Sequence, residues 1–378
     1  GTFDTGMSPN IEVIRTHMLS PLMMLRAALQ FYGGGQRATV TGVSPESVVV
    51  QPAGSALKEW GKRVRRKLST ALTQTAFPDP WIHWSIPAAR AVAGRKFDVV
   101  LGSIPPFSCA IIARKIAEAC GAALVVDYRD PWTDLIAASD RRKPRHAAQE
   151  QRCLDSAALV LGTTRSICRM LEARSPVPTF YSPTGVESRQ QSSAHPQRRI
   201  VYAGSLAYGR SLVPILQAMK AVRTETASPF TLHYIGTHQE QARQDALRTD
   251  MLESLVCCGA FDASQTDRYI QESLAGIVIV SEGYAYAFPS KIFDILSVGR
   301  PLIVIAPKDC EAYELVTEHG LGWAHAPTEH EAIVQTLRVL ADQNDDSPKI
   351  PQQLQTSQVA VALEARLQAL IKRTAPSK

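Results

Sequence analysis

Two cationic side chains lie near the starts of predicted helices, where proteins commonly bind anions. Lys291 lies in the first turn of a predicted helix that Pro289 and Ser290 open. A positive charge at a helix N-terminus opposes the helix dipole, so this lysine needs an anionic partner. Arg210 follows a glycine-bounded loop, residues 204–209, and precedes another predicted helix. These positions predict an anionic ligand, and an ordinary surface lysine is the alternative for Lys291.

A second group of polar residues follows two predicted strands in the first half of the chain. The loop that begins at Ser103 contains Pro105 and Pro106, which make it rigid. Arg129 and Asp130 follow the next strand. These residues are candidates for substrate contacts, with a plain turn and a buried Arg–Asp pair as the structural alternatives.

The motifs for metal, nucleophilic and dinucleotide chemistry are missing from the sequence. Asp127 and Asp130 are separated by two residues and do not form an Asp-x-Asp metal motif. The seven cysteines form no CxxC pair and no Cys/His zinc spacing, which indicates reduced thiols in a cytosolic protein. The absence of GxSxG, HExxH, Walker and GxGxxG patterns disfavours serine hydrolases, zinc proteases, NTPases and dehydrogenases.

The composition indicates a folded protein with a mild positive charge. The chain has 378 residues, of which 45% are hydrophobic and 20% are charged, enough apolar material for a packed core. No apolar run reaches the ~20 residues of a membrane-spanning helix. The net charge of +6 suits an anionic small ligand or a membrane surface and does not require nucleic acid.

Strand and helix patterns alternate along the chain and predict an α/β fold. Short apolar runs such as 231–235 and 302–305 alternate with helical patterns, among them residues 267–274. This alternation favours parallel sheets covered on both faces. Residues 11–14 are a further candidate strand. Residues 175–197 are rich in proline, serine and glutamine, which predicts a linker between two domains.

The predicted boundaries follow from this linker. We expect an acceptor-side domain at residues 1–180, a hinge at 181–197 and a nucleotide-sugar domain at 198–350. A C-terminal helix at 351–378 is expected to pack back toward the N-terminal domain.

Four sequence strings, in order, resemble the family-4-like glycosyltransferases of the two-domain GT-B fold. The N-terminal string is FDVVLGSIPPFSCAIIARKIAEACGAALVVDYRDPW, and SPTGVE resembles the hinge. YAGSLAYGRSLVPILQAM and FPSKIFDILSVGRPLIVIAP resemble two parts of the donor domain. The resemblance covers roughly residues 80–340 and implies two Rossmann-like domains that face each other across a cleft.

The chain departs from the family pattern at three places. The hinge has Thr184 and Glu187 where the family usually has Asn and Asp. Asp294 matches the second acid of the nucleotide-sugar motif, but Tyr286 stands where the first belongs, and Glu282 is out of register. NIEVIRTHMLSPLMML resembles a segment that normally follows two βα units, about 60 residues. We therefore expect the N-terminal domain to lack its first strands.

The resemblance implies roles for the candidate residues. Arg210 and Lys291 would bind the diphosphate of a nucleoside diphosphate sugar, and Asp294 would bind the ribose. Backbone amides of Gly204 and Ser205 would lie near the phosphates, and Tyr284 would touch the donor sugar.

On the acceptor side, Asp130 or Arg129 would contact the transferred sugar or the acceptor hydroxyl, beside the loop of Ser103, Pro105 and Pro106. Arg210, Lys291 and Asp130 are the candidates for catalysis.

The implied activity is that of a hexosyltransferase-like enzyme that needs no metal and no cofactor. It would transfer a sugar, with retention, to a glycan or lipid-linked acceptor between the domains. Such an enzyme would serve polysaccharide or cell-envelope synthesis. A nucleotide-sugar epimerase of the same fold and an inactive sugar-nucleotide-binding subunit are the alternatives.

A basic amphipathic helix is predicted from Leu57 to Leu72. Lys58, Lys62 and Arg65 share one face with Arg66, and Trp60 lies on another. Such a helix can lie on an anionic membrane, which predicts peripheral contact at the cytoplasmic face. A solvated face on a core-packing helix is the alternative.

Overall fold

The computed structural model describes residues 11–16, 76–187, 189, 196–223, 230–286, 288–342 and 347–374. The chain divides into two compact units, Gly1–Val160 and Leu161–Lys378. The predicted basic helix from Leu57 to Leu72 lies outside the described residues.

The first sheet has four strands in the order β1-β2-β3-β4. They are β1 (Val99–Ile104), β2 (Ala123–Tyr128), β3 (Leu159–Gly162) and β4 (Thr179–Tyr181). β1 and β2 are parallel, with Ser103 opposite Asp127. The helices here are α1 (Ser85–Ala91), α2 (Ser108–Cys120), α3 (Trp132–Leu135), α4 (Lys143–Ser156) and α5 (Arg165–Glu172), and a 3₁₀ turn spans Pro80–Trp84.

Helix α2 is fixed close to the end of β1. Gly102 permits this approach, because a Cβ there would lie 2.6 Å from the Cβ of Ala113. The carboxylate of Asp79 accepts hydrogen bonds from the Ser108 amide at 2.9 Å and hydroxyl at 2.8 Å. This negative charge stabilises the N-terminus of α2. The helix ends at Gly121, which adopts the left-handed conformation with φ of 65°.

The second sheet has six parallel strands in the order β10-β9-β8-β5-β6-β7. The strands are β5 (Gln197–Ala203), β6 (Thr231–Ile235), β7 (Leu255–Gly259), β8 (Ser273–Ile279), β9 (Leu302–Ile305) and β10 (Gly322–His325). The helices are α6 (Val213–Arg223), α7 (Gln239–Thr249), α8 (Ala263–Gln271), α9 (Lys291–Ser297), α10 (Glu311–His319), α11 (His330–Asp342) and α12 (Thr356–Thr374). Single 3₁₀ turns span Leu252–Ser254, Glu282–Tyr284 and Gln352–Leu354.

The six-stranded sheet is buried on both faces, as the sequence predicted. Alternate strand residues such as Ile200 and Tyr234 pack with α6, α7 and α11 on one face. Their neighbours, such as Val201 and Val304, pack with α8, α9 and α10 on the other. The continuous apolar runs of the sequence reflect this burial on both sides.

The strand order reverses between β5 and β8. The chain runs outward from β5 to β6 and β7, then crosses back to β8 and continues outward to β9 and β10. The loops that follow β5 and β8 therefore diverge at their carboxyl ends. Open α/β sheets bind ligands in the crevice that such a reversal creates.

Several predicted elements agree with the structure and three do not. Strands 231–235 and 302–305 are confirmed at both ends. Residues 11–14 are not a strand; they have no strand partner among the described residues, and Ile11 is 55% exposed. The predicted linker 175–197 contains strand β4. The helix predicted at 267–274 ends earlier, and its last residues begin β8.

The predicted domain boundaries at residues 180, 197 and 350 stay predictions, as does the absence of the first strands from the N-terminal domain.

Gly236 controls the approach of β6 to the end of β5. A Cβ at this position would overlap the carbonyl oxygen of Gly204 and lie 2.5 Å from the Tyr234 hydroxyl. We expect Gly236→Ala to lower the free energy of unfolding by about 1–3 kcal/mol, because the β5 and β6 ends must separate. Urea unfolding measures this change.

Gly283→Ala is the matched control, because a Cβ there meets no atom within 4 Å. Its effect should stay within about 0.5 kcal/mol. Equal stability of the Gly236→Ala variant and the wild type would contradict the close approach.

Candidate functional site

The loops after β5 and β8 carry the predicted donor-site residues and are joined to each other. Ser281, which follows β8, donates a hydrogen bond from its hydroxyl to the carbonyl of Tyr208, 2.7 Å away. Gly204, Ser205 and Arg210 lie in the first loop and Tyr284 in the second. The structure thus brings these four residues to one edge of the sheet, at the strand reversal.

The guanidinium of Arg210 is only partly satisfied by hydrogen bonds with the described residues. Its Nη1 donates to the Ser205 carbonyl at 3.3 Å. Its Nε is buried and has no hydrogen-bond partner within the described part of the chain. Because a guanidinium carries five N–H donors in a rigid fork, Arg210 retains capacity for an anion.

Tyr202 helps to fix the loop of residues 204–212 between β5 and α6, which contains Arg210 and is here called the arginine loop. Its hydroxyl donates to the same Ser205 carbonyl at 2.8 Å. Burial raises the pKa of Tyr202 to about 12, although the nearby Arg210 charge acts in the opposite direction. The phenol therefore remains a neutral donor at physiological pH and fixes the carbonyl against which Arg210 rests.

The amide of Gly204 is committed to the sheet. It donates to the carbonyl of Ile235 at 2.9 Å and continues the β5–β6 ladder. This hydrogen is not available to a phosphate, in contrast to what the sequence suggested for this amide. The physical reason is that the ladder extends one residue beyond β5.

Helix α9 carries a paired lysine and aspartate. The ammonium of Lys291 lies 2.9 Å from Oδ2 of Asp294, one turn later. Asp294 therefore supplies, within the same helix, an anionic partner for the positive charge at the helix N-terminus. The lysine side chain is 41% exposed and the aspartate 28% exposed, so both remain accessible.

Arg189 extends this pair into a cluster of four charges. Its Nη2 lies 3.6 Å from Oδ1 of Asp294, and its Nη1 hydrogen-bonds Oδ2 of Asp267 on α8. Arg189 was not among the predicted site residues, because it lies inside the predicted linker. No local pattern could identify it, because its partners Asp267 and Asp294 lie 78 and 105 residues further along the chain.

A cavity of about 430 Å³ with aromatic walls lies beside the arginine loop. Tyr208 and Tyr284 line it, with ring centroids 5.2 Å apart, together with Ser211, Ser281 and Glu282. Tyr208 has a φ of 62°, which is uncommon for a residue with a side chain, and is 64% exposed. Such local strain occurs at ligand sites. Sequence reasoning identified Tyr284 but not Tyr208 or Ser281.

Asp245 on α7 holds the end of the arginine loop by hydrogen bonds. Its fully buried carboxylate accepts hydrogen bonds at 2.8 Å from the Ser211 hydroxyl and from the Leu212 amide. Both donors lie just before α6, so the aspartate satisfies one backbone amide, that of Leu212, at the start of that helix. The residues directly after Arg210 are therefore anchored to α7.

The acceptor-side candidates gather at the carboxyl ends of β1 and β2. The Ser103 hydroxyl donates to Oδ2 of Asp127 at 2.7 Å, and Arg129 donates its amide to the Ile104 carbonyl at 2.9 Å. Phe107 stacks on Trp132 at 5.2 Å between ring centroids, which joins the two loops. Trp132, part of the family-like DYRDPW string, is fully buried.

The aspartates of this group are poorly solvated. Burial raises the pKa of Asp127, although its bond to Ser103 and the charge of Arg129 oppose the shift. Burial likewise raises the pKa of Asp130, and Arg129 opposes it. Oδ1 of Asp127 is buried and has no hydrogen-bond partner among the residues that the structure describes. Pro105 and Pro106 both follow cis peptide bonds in the adjoining loop.

The described residues contain neither a cluster of metal ligands nor a membrane-spanning helix. No group of three or more His, Cys, Asp or Glu side chains is arranged to hold a metal ion. No helix in this part of the chain is long and apolar enough to cross a bilayer.

Comparison with known proteins gives similarity in structure only. No protein-family model and no curated protein matches the sequence. A UDP-forming α,α-trehalose-phosphate synthase from Burkholderia vietnamiensis matches with a TM-score of 0.52 at 11% identity, over 79% of this chain and 79% of that chain. The GtfA/B complex matches with a TM-score of 0.52 at 13% identity, over 79% of this chain and 63% of that chain.

A mutant of S. aureus TarM, in complex with Fondaparinux, alpha-GlcNAc-glycerol and UDP, matches with a TM-score of 0.51 at 7% identity. The match covers 79% of this chain and 57% of TarM, so the chain spans less than two thirds of that protein's length. These matches show that the chain has the α/β fold called GT-B. The resemblance seen in the sequence is thereby confirmed at the level of the fold.

The raised pKa of Asp127 predicts how stability depends on pH. Because the folded state favours the protonated carboxyl, the stability from this group is present below its ordinary pKa and lost as pH rises through the raised value. Asp127→Asn keeps an acceptor for Ser103 and removes the buried charge. We expect the melting temperature of the variant, measured relative to that of the wild type, to increase as the pH rises from about 4 to about 7.

Asp98→Asn, which changes an exposed aspartate just before β1, is the control for general charge effects. Melting curves of the three proteins across this pH range make the comparison. Parallel pH profiles for wild type and Asp127→Asn would show that the carboxyl is not destabilised by burial.

Proposed function

We propose that the protein is a glycosyltransferase that moves a sugar from a nucleoside diphosphate sugar to a hydroxyl of a glycan or lipid-linked acceptor. One observation carries the proposal: Arg210 has a buried Nε without a partner in the described chain, at the strand reversal of a GT-B sheet. A sugar transfer of this kind releases a diphosphate whose negative charge must be stabilised as the bond breaks.

The donor-site roles follow from the chemistry of each side chain. Arg210 and Lys291 stabilise the leaving diphosphate, and protein cations take the part that a metal plays elsewhere. Asp294 accepts hydrogen bonds from the ribose hydroxyls. Tyr284 borders the sugar, and Ser205 fixes the arginine through its carbonyl. Gly204 brings the backbone close to the phosphates without a side chain.

The acceptor-side roles are assigned to residues of the N-terminal unit. Asp130 accepts a hydrogen bond from the attacking hydroxyl or from a hydroxyl of the transferred sugar, and a carboxylate with a raised pKa is suited to this. Arg129 orients that carboxylate, while Ser103, Pro105 and Pro106 form the rigid wall beside it. We propose retention of the anomeric configuration, as the family resemblance implies.

The setting of the reaction is a further part of the proposal. A growing glycan or lipid-linked sugar at the cytoplasmic face of a membrane is the proposed acceptor. The basic sequence pattern from Leu57 to Leu72 supports peripheral membrane contact, and it favours a role in polysaccharide or cell-envelope synthesis.

Nucleotide binding tests the donor site. We expect one of UDP, GDP, ADP and dTDP to stabilise the wild type, by about 2.7 kcal/mol at 100 Kd. Arg210→Ala and Lys291→Ala each remove a charged hydrogen bond of about 1.5–3 kcal/mol, which weakens binding roughly 10- to 150-fold. Thermal shift titrations measure both effects.

Arg268→Ala on α8 is the matched control, since this exposed arginine lies outside the site. No stabilisation by any nucleotide would contradict the proposal. With a nucleotide sugar, turnover only in the presence of an acceptor identifies a transferase. Turnover without an acceptor identifies an epimerase, and binding without turnover identifies an inactive subunit.

A further inference from the structure

The charges of the cluster formed by Arg189, Asp267, Lys291 and Asp294 balance one another. Arg189 and Lys291 supply two positive charges, and Asp267 and Asp294 supply two negative ones. Lys291 contacts Oδ2 of Asp294, whereas Arg189 faces Oδ1 of the same carboxylate. A diphosphate that approaches Lys291 therefore competes with Asp294 for the ammonium group.

Arg189 is held in place independently of its charge. Its backbone amide donates to the carbonyl of Ser297 at the end of α9, 2.9 Å away. From there the side chain extends back along α9 to Asp294 and across to Asp267 on α8. A planar guanidinium can face two carboxylates at once with separate nitrogens, which the single ammonium group of a lysine does less well.

We propose that Arg189 is a positioning residue of the donor site, which retains Asp294 when Lys291 turns from that carboxylate to the diphosphate of a nucleotide. The inference rests on the proposed function. Without Arg189, a released Asp294 would stand uncompensated beside a dianionic group, so Lys291 would stay bound to it.

In this exchange, Lys291 leaves Asp294 for the diphosphate, and Asp294 becomes able to bind ribose. A carboxylate has about four lone-pair sites on its two oxygens. With Arg189 at Oδ1, the Oδ2 side that Lys291 vacates is open to hydroxyl donors. Arg189 therefore couples phosphate binding by Lys291 to ribose binding by Asp294.

A purely structural role makes a different prediction. If Arg189 only fastens its chain segment to α8 and α9, its loss lowers the melting temperature and leaves the affinity for anions unchanged. If Arg189 attracts the diphosphate by its own charge, its loss weakens binding equally whether or not Asp294 carries a charge. Only the exchange makes the effect of Arg189 depend on Asp294.

Calorimetric titration with inorganic pyrophosphate tests the exchange, because this probe has the diphosphate but no ribose. We expect Arg189→Ala to weaken binding about three- to tenfold, since Lys291 then remains on Asp294. Asp294→Asn should strengthen binding by freeing Lys291. In Arg189→Ala/Asp294→Asn, the loss of Arg189 should have no further effect.

Arg189→Lys should resemble the alanine variant, and Arg268→Ala is the control for a lost surface charge. Unchanged affinity in Arg189→Ala, or additive effects in the double variant, would overturn the role of Arg189 and leave the donor site intact. No binding of pyrophosphate to the wild type would instead overturn the diphosphate site, and the exchange with it.

Discussion

The reversal of strand order between β5 and β8 is the constraint on which the candidate site depends. All six strands are parallel, so their carboxyl ends lie along the same side of the sheet, which is the edge that carries the site. Only at the reversal do the following loops separate and leave space for a ligand. Arg210 and Tyr284 reach this place because each follows one of the two diverging strands. The Ser281–Tyr208 hydrogen bond then keeps the two loops together.

The two candidate phosphate-binding cations, Lys291 and Arg210, differ in the partners that they have within the protein. Lys291 is neutralised by Asp294 in the same helix, so an anionic ligand must displace an existing ion pair. Arg210 has no carboxylate partner among the contacts of the described chain; it rests on a carbonyl and keeps a buried Nε unsatisfied. A buried donor without a partner is unfavourable, so an anion gains more from Arg210 than from an exposed, paired lysine.

Local patterns made part of this molecule predictable from the sequence. The buried strands β6 and β9 show continuous apolar runs, and Lys291 and Asp294 share a helix face at a spacing of three residues. The start of α8 was also readable, because Asp262 and Gln265 form a capping box, although the predicted helix was placed too late.

Contacts between distant segments could not be predicted in the same way. The pairing of Arg189 with Asp294, the cap that Asp245 provides and the extension of the ladder to Gly204 depend on tertiary structure. Strand β4 was not predicted, because its three residues lie in a segment rich in proline and serine. They form a strand only by pairing at the edge of the first sheet.

Hydrogen exchange with and without a saturating nucleoside diphosphate tests the central claim, that the strand reversal binds the donor. UDP, GDP, ADP and dTDP are compared, and the one that binds most tightly is used. The account predicts slower exchange of backbone amides in the two loops at the reversal, residues 205–212 and 281–286, and in the first turn of α9, residues 291–294. Bound nucleotide that protects amides elsewhere, and none in these two loops, would contradict the account.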